Sequence, residues 1–113
     1  MLDVSTERIG RVLCARVSGR VDSASAGDFR EGIRAAIEDS GGAVILDFEG
    51  IFYISSAGLQ VVLMTARTLR KRNTPLSLCS LSDPVRRVFE MTGFDRIVTI
   101  HTSREEALAA VSG

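Results

Sequence analysis

Two adjacent hydroxyls, Ser55 and Ser56, are the side chains of this sequence best placed to do chemistry. They follow an apolar run, Ala43-Val44-Ile45-Leu46-Asp47-Phe48, and stand just before Ala57-Gly58-Leu59, where the apolar period changes from that of a strand to that of a helix. A serine at a helix start can accept a hydrogen bond from an orphan backbone amide. An anion attached there would face those same amides and the positive end of the helix dipole. Ser56 is therefore read as a cap or a switch, and Ser55 as a loop or cap residue beside it.

Nucleophilic catalysis would need more than a hydroxyl. Ile54 stands where a G-x-S-x-G elbow has its first glycine. His101 is the one imidazole and lies just past the last apolar segment, where a satisfied or solvated ring is expected. No G-x-G-x-x-G follows a strand, and no G-K-[ST] occurs. Cys14 and Cys79 are far apart in apolar, strand-like runs, the setting of buried free thiols rather than of a disulfide or metal ligands. No catalytic residue, metal or cofactor is expected. A complete fold without a catalytic constellation reads as a binding or switching module and not an enzyme.

The 113 residues suffice for one domain and one core, spanning 1–113. Fourteen basic residues balance fourteen acidic ones, so the concentrated positive charge that phosphate backbones require is missing and direct nucleic-acid binding is not expected. The one basic cluster, Arg67, Arg70, Lys71 and Arg72, reads as the solvated end of a helix. No apolar run approaches the roughly 20 residues of a membrane span. A cytoplasmic protein without membrane insertion is expected.

Two extended segments, 4–6 and 12–18, are joined by a turn near Arg8 to Gly10; in the second, Leu13, Ala15 and Val17 alternate with Cys14, Arg16 and Ser18. Gly19-Arg20-Val21-Asp22 ends that strand, and Ser25-Ala26-Gly27-Asp28 predicts a capping box opening a helix with Phe29, Ile33, Ala36 and Ile37 inside. Ser40-Gly41-Gly42 stops it. The central strand, segment 49–54 and a helix over about 57–72 follow; Asn73-Thr74-Pro75 breaks that helix, and 76–80 is a further strand. Asp83-Pro84 predicts an N-cap with proline at the first helical position, Gly93 a left-handed C-terminal cap, 97–100 the last strand, and Ser103-Arg104-Glu105-Glu106 a second capping box. Strands separated by helices imply right-handed crossovers and a mostly parallel sheet with an antiparallel N-terminal edge.

The helix after Ser56 carries two apolar stripes. Leu59, Val62, Leu63, Ala66 and Leu69 form the stripe expected on the sheet. On the opposite side lie Ala57, Val61, Met64 and Thr68, flanked by Gln60. This second stripe packs against a neighbouring helix or meets a partner, with methionine supplying adaptable contact. Gly58 is a poor helix former unless backbone must approach closely there, the alternative being a tolerated glycine at a frayed end.

Read together, Gly19-Arg20-Val21-Asp22, Val44-Ile45-Leu46-Asp47-Phe48, Ile54-Ser55-Ser56-Ala57-Gly58-Leu59, the stretch Pro84 to Gly93 and Arg104-Glu105-Glu106-Ala107-Leu108 resemble a STAS domain of the bacterial anti-sigma factor antagonist type, over nearly the whole chain. The resemblance implies the α/β STAS fold, a mostly parallel sheet with an antiparallel N-terminal edge strand and about four helices. It further implies a partner that is an anti-sigma factor and serine kinase, release on phosphorylation of a serine at the start of the second helix, and a serine phosphatase that restores binding. By position the acceptor is Ser56, with Ser55 the second candidate, and Asp22 matches an acidic residue near that serine. Ser55 departs from the family's usual acid and Ala57 from its usual Ser or Thr. The resulting expected partner surface comprises Asp22, Ser23, Ser25, Ser55, Ser56, Ala57, Gly58, Gln60, Val61, Met64 and Thr68. Because the family also has members serving transporters, a regulatory subunit of a membrane transport complex is the alternative.

Overall fold

A computed structural model describes residues 2–38 and 40–112. Strands β1 (Asp3–Ile9) and β2 (Val12–Val21) form an antiparallel hairpin whose turn passes through Gly10 at φ 63°, a backbone conformation that costs glycine little. Strands β3 (Val44–Ile54), β4 (Leu76–Cys79) and β5 (Thr99–His101) then join in parallel, giving the sheet order β1-β2-β3-β4-β5. Helices α1 (Ala26–Ile37), α2 (Ser56–Lys71), α3 (Asp83–Thr92) and α4 (Arg104–Ser112) connect and follow them. The α/β architecture with one antiparallel edge is the expected one.

Alternation along β2 divides the core in two. Leu13, Ala15 and Val17 face the cluster built with Phe29 and Ile33 of α1, Leu59, Val62 and Leu69 of α2, and Val85 and Phe89 of α3. Val12 and Cys14 face the other way and meet Ile45, Cys79 and, from α4, Ala107. Phe29, Phe48 and Phe89 are fully buried, each contributing about 1.5–3 kcal/mol relative to exposure. Both thiols are free and buried; burial raises Cys14 and pushes Cys79 up to about 11, which leaves little reactive thiolate at neutral pH.

Several element ends differ from expectation. Strand β2 continues through Gly19, at φ 121°, to Val21, and β3 runs unbroken to Ile54. Between paired positions β2 advances from Arg16 to Val21 while β3 advances from Asp47 to Ile54, so β3 accommodates two extra residues at two register steps. Asp47 Oδ1 accepts from Glu49 N at 3.0 Å across the first of these. The N-cap of α3 is Ser82, which has the extended backbone that a cap needs, so Asp83 opens the helix and Pro84 follows it. Gly93 caps the other end at φ 79°, as expected, and leads into a 3-10 turn, Phe94–Arg96, that delays β5 to Thr99. The Ser103 box forms by half: Ser103 Oγ accepts from Glu106 N at 3.1 Å, whereas the Glu106 carboxylate turns to Thr102 N at 3.0 Å and His101 Nδ1 at 3.3 Å.

Candidate functional site

β2 and β3 leave the sheet side by side. Val21 pairs with Ile54, and Ser55 N donates to Val21 O at 2.8 Å, which brings the loop after Asp22 next to the serine pair. Ser55 has extended backbone; its Oγ accepts from Gly58 N at 3.3 Å and its carbonyl from Leu59 N at 3.0 Å, making it the N-cap of α2. Ser56 is then the first helical residue. It is exposed, and its hydroxyl has no hydrogen-bond partner among the described residues.

The start of α2 differs from that of the other three α-helices in charge. Asp28 lies in the first turn of α1, Asp83 in that of α3, and Glu105 and Glu106 in that of α4, but the first turn of α2 holds no acidic residue. Its dipole end and orphan amides are therefore left without a carboxylate of their own, a setting that favours an added anion. Gly58 makes this turn compact. A Cβ on it would lie 2.6 Å from Val21 Cγ1 and 2.8 Å from Ile54 Cγ1, so the glycine serves close approach of α2 to the ends of β2 and β3.

Asp22 organises the neighbouring loop. Its Oδ1 accepts from Ala24 N at 3.1 Å and Ser25 N at 3.0 Å, and its Oδ2 from Arg20 Nε at 3.3 Å. The Ser25 bonds, backbone first, hold the carboxyl below its ordinary range despite an opposing desolvation effect. Ser25 occupies the N-cap position of α1 but makes no side-chain cap. Its hydroxyl donates to Arg20 O at 2.7 Å and accepts from Asp22 N at 3.0 Å, so the expected box with Asp28 is replaced by a loop closed on Asp22.

The expected partner stripe on α2 does not stay together. Val61 is only 6% exposed and belongs to the core, where it reaches the surface only as the floor of the groove beside α1, and Gly58 is buried and has no side chain to offer. Ala57 is half-buried, while Gln60, Met64 and Thr68 are exposed. The cause is α1, which lies against α2 and takes up the middle of the stripe.

Three residues at this end of the sheet were not anticipated. Arg20 stacks 4.2 Å above the Tyr53 ring, and Tyr53 and Phe52 are 40% and 62% exposed. Phe52 lies at the second register step, between the pairs Gly19↔Ile51 and Arg20↔Tyr53. Two consecutive aromatics at the end of an apolar strand break its alternation, the signal that could have marked them. Among the described residues no imidazole or carboxylate is hydrogen-bonded to the Ser56 hydroxyl, which stands exposed at the head of α2.

The model of the STAS domain matches residues 3–107. A relative from Bordetella bronchiseptica named as a candidate anti-sigma factor antagonist, BtrV, is 39% identical over 109 residues, covering 96% of this chain and 94% of its own. A crystal structure of an anti-sigma factor antagonist from Mycobacterium paratuberculosis has a TM-score of 0.91 at 25% identity, covering 100% of this chain and 96% of that one. The anti-sigma factor antagonist SpoIIAA is similar in its unphosphorylated form, with a TM-score of 0.80 at 26% identity covering 98% of this chain and 97% of that one. The phosphorylated form of Bacillus SpoIIAA gives 0.71 at 25%, covering 96% and 99%. The chain belongs to the STAS domain family.

Proposed function

We propose that the chain is an anti-sigma factor antagonist: unmodified, it sequesters an anti-sigma factor and so frees a sigma factor for transcription, and phosphate on Ser56 ends that binding. The observation that carries the switch is the exposed Ser56 hydroxyl at the head of the one α-helix among the described residues without a first-turn carboxylate, beside the Asp22 loop. The family and the names of the similar proteins carry the partner class.

A phosphate brings about −1.5 to −2 charges and three acceptor oxygens. On Ser56 it would face the open amides of α2 while adding to the charge of Asp22, so a surface desolvated by the partner becomes one that is costly to desolvate. The domain itself need not refold. In this reading Asp22, Ser23, Ser56, Ala57 and Gln60 meet the partner, and Ser25 and Ser55 shape the surface from within. The kinase is the anti-sigma factor itself, a serine phosphatase reverses the modification, and the chain acts in the cytoplasm without catalysing a reaction.

Unmodified protein used as bait should capture an anti-sigma factor, and mass spectrometry after incubation with that partner and ATP should find phosphate on Ser56. Phosphate confined to Ser55 would overturn the assignment of the site. Failure of the unmodified chain to bind any anti-sigma factor of its own cell would overturn the function.

A further inference from the structure

We infer that the groove between α1 and α2 is a second docking surface, separate from the Ser56 loop, and that it receives an acidic amphipathic helix of a partner protein. This inference does not rest on the phosphate switch. The groove encloses about 450 Å³, and the residues of α2 and its C-cap along it run from Val61 to Arg72, about 16 Å at 1.5 Å per residue. That length suits about three turns of a docked helix with anchors on one face.

Its floor is apolar. Ile37 and Val61 are buried at the bottom, Met64 is 48% exposed in the wall, and the Thr65 hydroxyl is satisfied by Val61 O at 2.8 Å and asks nothing of a ligand. A half-exposed methionine over a buried apolar floor adapts to bulky side chains. At the far end Arg72 donates through Nη1 to Ile37 O at 3.1 Å, tying α2 to the end of α1.

The rims supply the sign of the occupant. Among the described residues three guanidinium groups line the groove, Arg30 and Arg34 from α1 and Arg72 from the C-cap of α2, against one carboxylate, Glu38. Arg34 is bracketed by Glu31 at 2.9 Å and Glu38 at 3.5 Å. Arg30 and Arg72, one on each rim, have no carboxylate within ion-pair distance among the described residues. In a chain whose charges balance, an apolar trough with a cation on each side that no described carboxylate pairs is complementary to a helix carrying an apolar stripe between acidic flanks.

The test uses the full chain and a fluorescein-labelled peptide of about four helical turns, leucine on one face and glutamate on the others. Fluorescence anisotropy should show saturable binding that weakens with salt. Lysine in place of the peptide's glutamates should abolish it, and amide shifts in NMR spectra should map to α1 and α2. Arg30→Glu with Arg72→Glu should weaken binding about tenfold or more, whereas Ser56→Glu should leave it unchanged. Because Arg72 also bonds Ile37 O, Arg30→Glu alone and Thr68→Glu, both at exposed positions, give the same reading without touching that bond. Absence of binding by folded protein, equal binding of the lysine peptide, or shifts confined elsewhere overturns the inference. Self-association in sedimentation that is lost in Arg30→Glu overturns it too, since the occupant would then be a second copy. Binding of phosphatidylglycerol vesicles in place of the peptide would mean an anionic lipid surface, with the same consequence.

Discussion

The starts of α2 and α4 are built on the same cap and put to opposite uses. In each, a serine just before the helix accepts from an amide three residues on, Ser55 from Gly58 N at 3.3 Å and Ser103 from Glu106 N at 3.1 Å. Helix α4 then fills its own positive end: Glu105 and Glu106 lie in the first turn, and the Glu106 carboxylate also binds Thr102 N and His101 Nδ1. Helix α2 opens with Ser56, Ala57 and Gly58, which bring one exposed hydroxyl and no charge. A cap alone stabilises a helix; a cap with nothing acidic after it leaves the helix end able to respond to an anion from outside. The contrast is what the proposed switch rests on: Ser56, unlike Ser55 and Ser103, has a hydroxyl that caps no helix.

The largest effect should come from giving the α2 start the charge it lacks. Ser56→Glu should weaken binding of the anti-sigma partner by about a hundredfold, the size of a desolvated and unmatched charge of about 2.8 kcal/mol, with little change in melting temperature; isothermal titration and calorimetric melting read the two together. Next, Gly58→Ala should destabilise the fold by about 1 to 2 kcal/mol, because overpacking against Val21 and Ile54 exceeds the gain in helix propensity. A melting curve unchanged from the parent would mean that the two branched side chains move aside.

Removing the caps tests the common part of the comparison. Ser55→Ala and Ser103→Ala should each cost about 1 kcal/mol by denaturant titration, yet Ser56 should still accept phosphate in the first variant. A smaller change, Ala57→Glu, makes α2 resemble α4. It should raise stability by about 0.3–1 kcal/mol through the dipole while weakening partner binding, and unchanged binding would place Ala57 outside the interface.

The smallest effect should be the share of the pH dependence that Glu106 contributes at the start of α4. Hydrogen bonding from Thr102 N, then from the His101 and Thr102 side chains, holds Glu106 below its ordinary value of 4.5. A lowered native value means that folding favours the charged form, so its contribution is present above about pH 4.5 and is lost as pH falls through the lowered native value. The difference in melting temperature between the parent and Glu106→Gln should therefore shrink on acidification below that point. A difference that stays constant would leave the hydrogen bonds without an electrostatic part.

Local pattern alone was enough for much of this molecule. Alternation at Leu13, Ala15 and Val17 placed those side chains on one face of a strand, the spacing of Leu59, Val62 and Leu69 placed them under one helix, and Gly93 marked a helix end, because each depends on the geometry of a single element. The order of strands and helices was likewise sufficient for a parallel sheet with one antiparallel edge, since crossovers leave few alternatives. Packing between elements decided the rest. Whether Val61 is surface or core depends on α1 lying against α2, and no periodicity within α2 contains that information. Ser25 and Ser55 both stand before helices, but only Ser55 caps one with its side chain, because Asp22 and the Arg20 carbonyl engage the hydroxyl of the other. The two extra residues of β3 expose Phe52 and Tyr53 beside Arg20 through pairing with β2, a register that exists only once two distant segments meet.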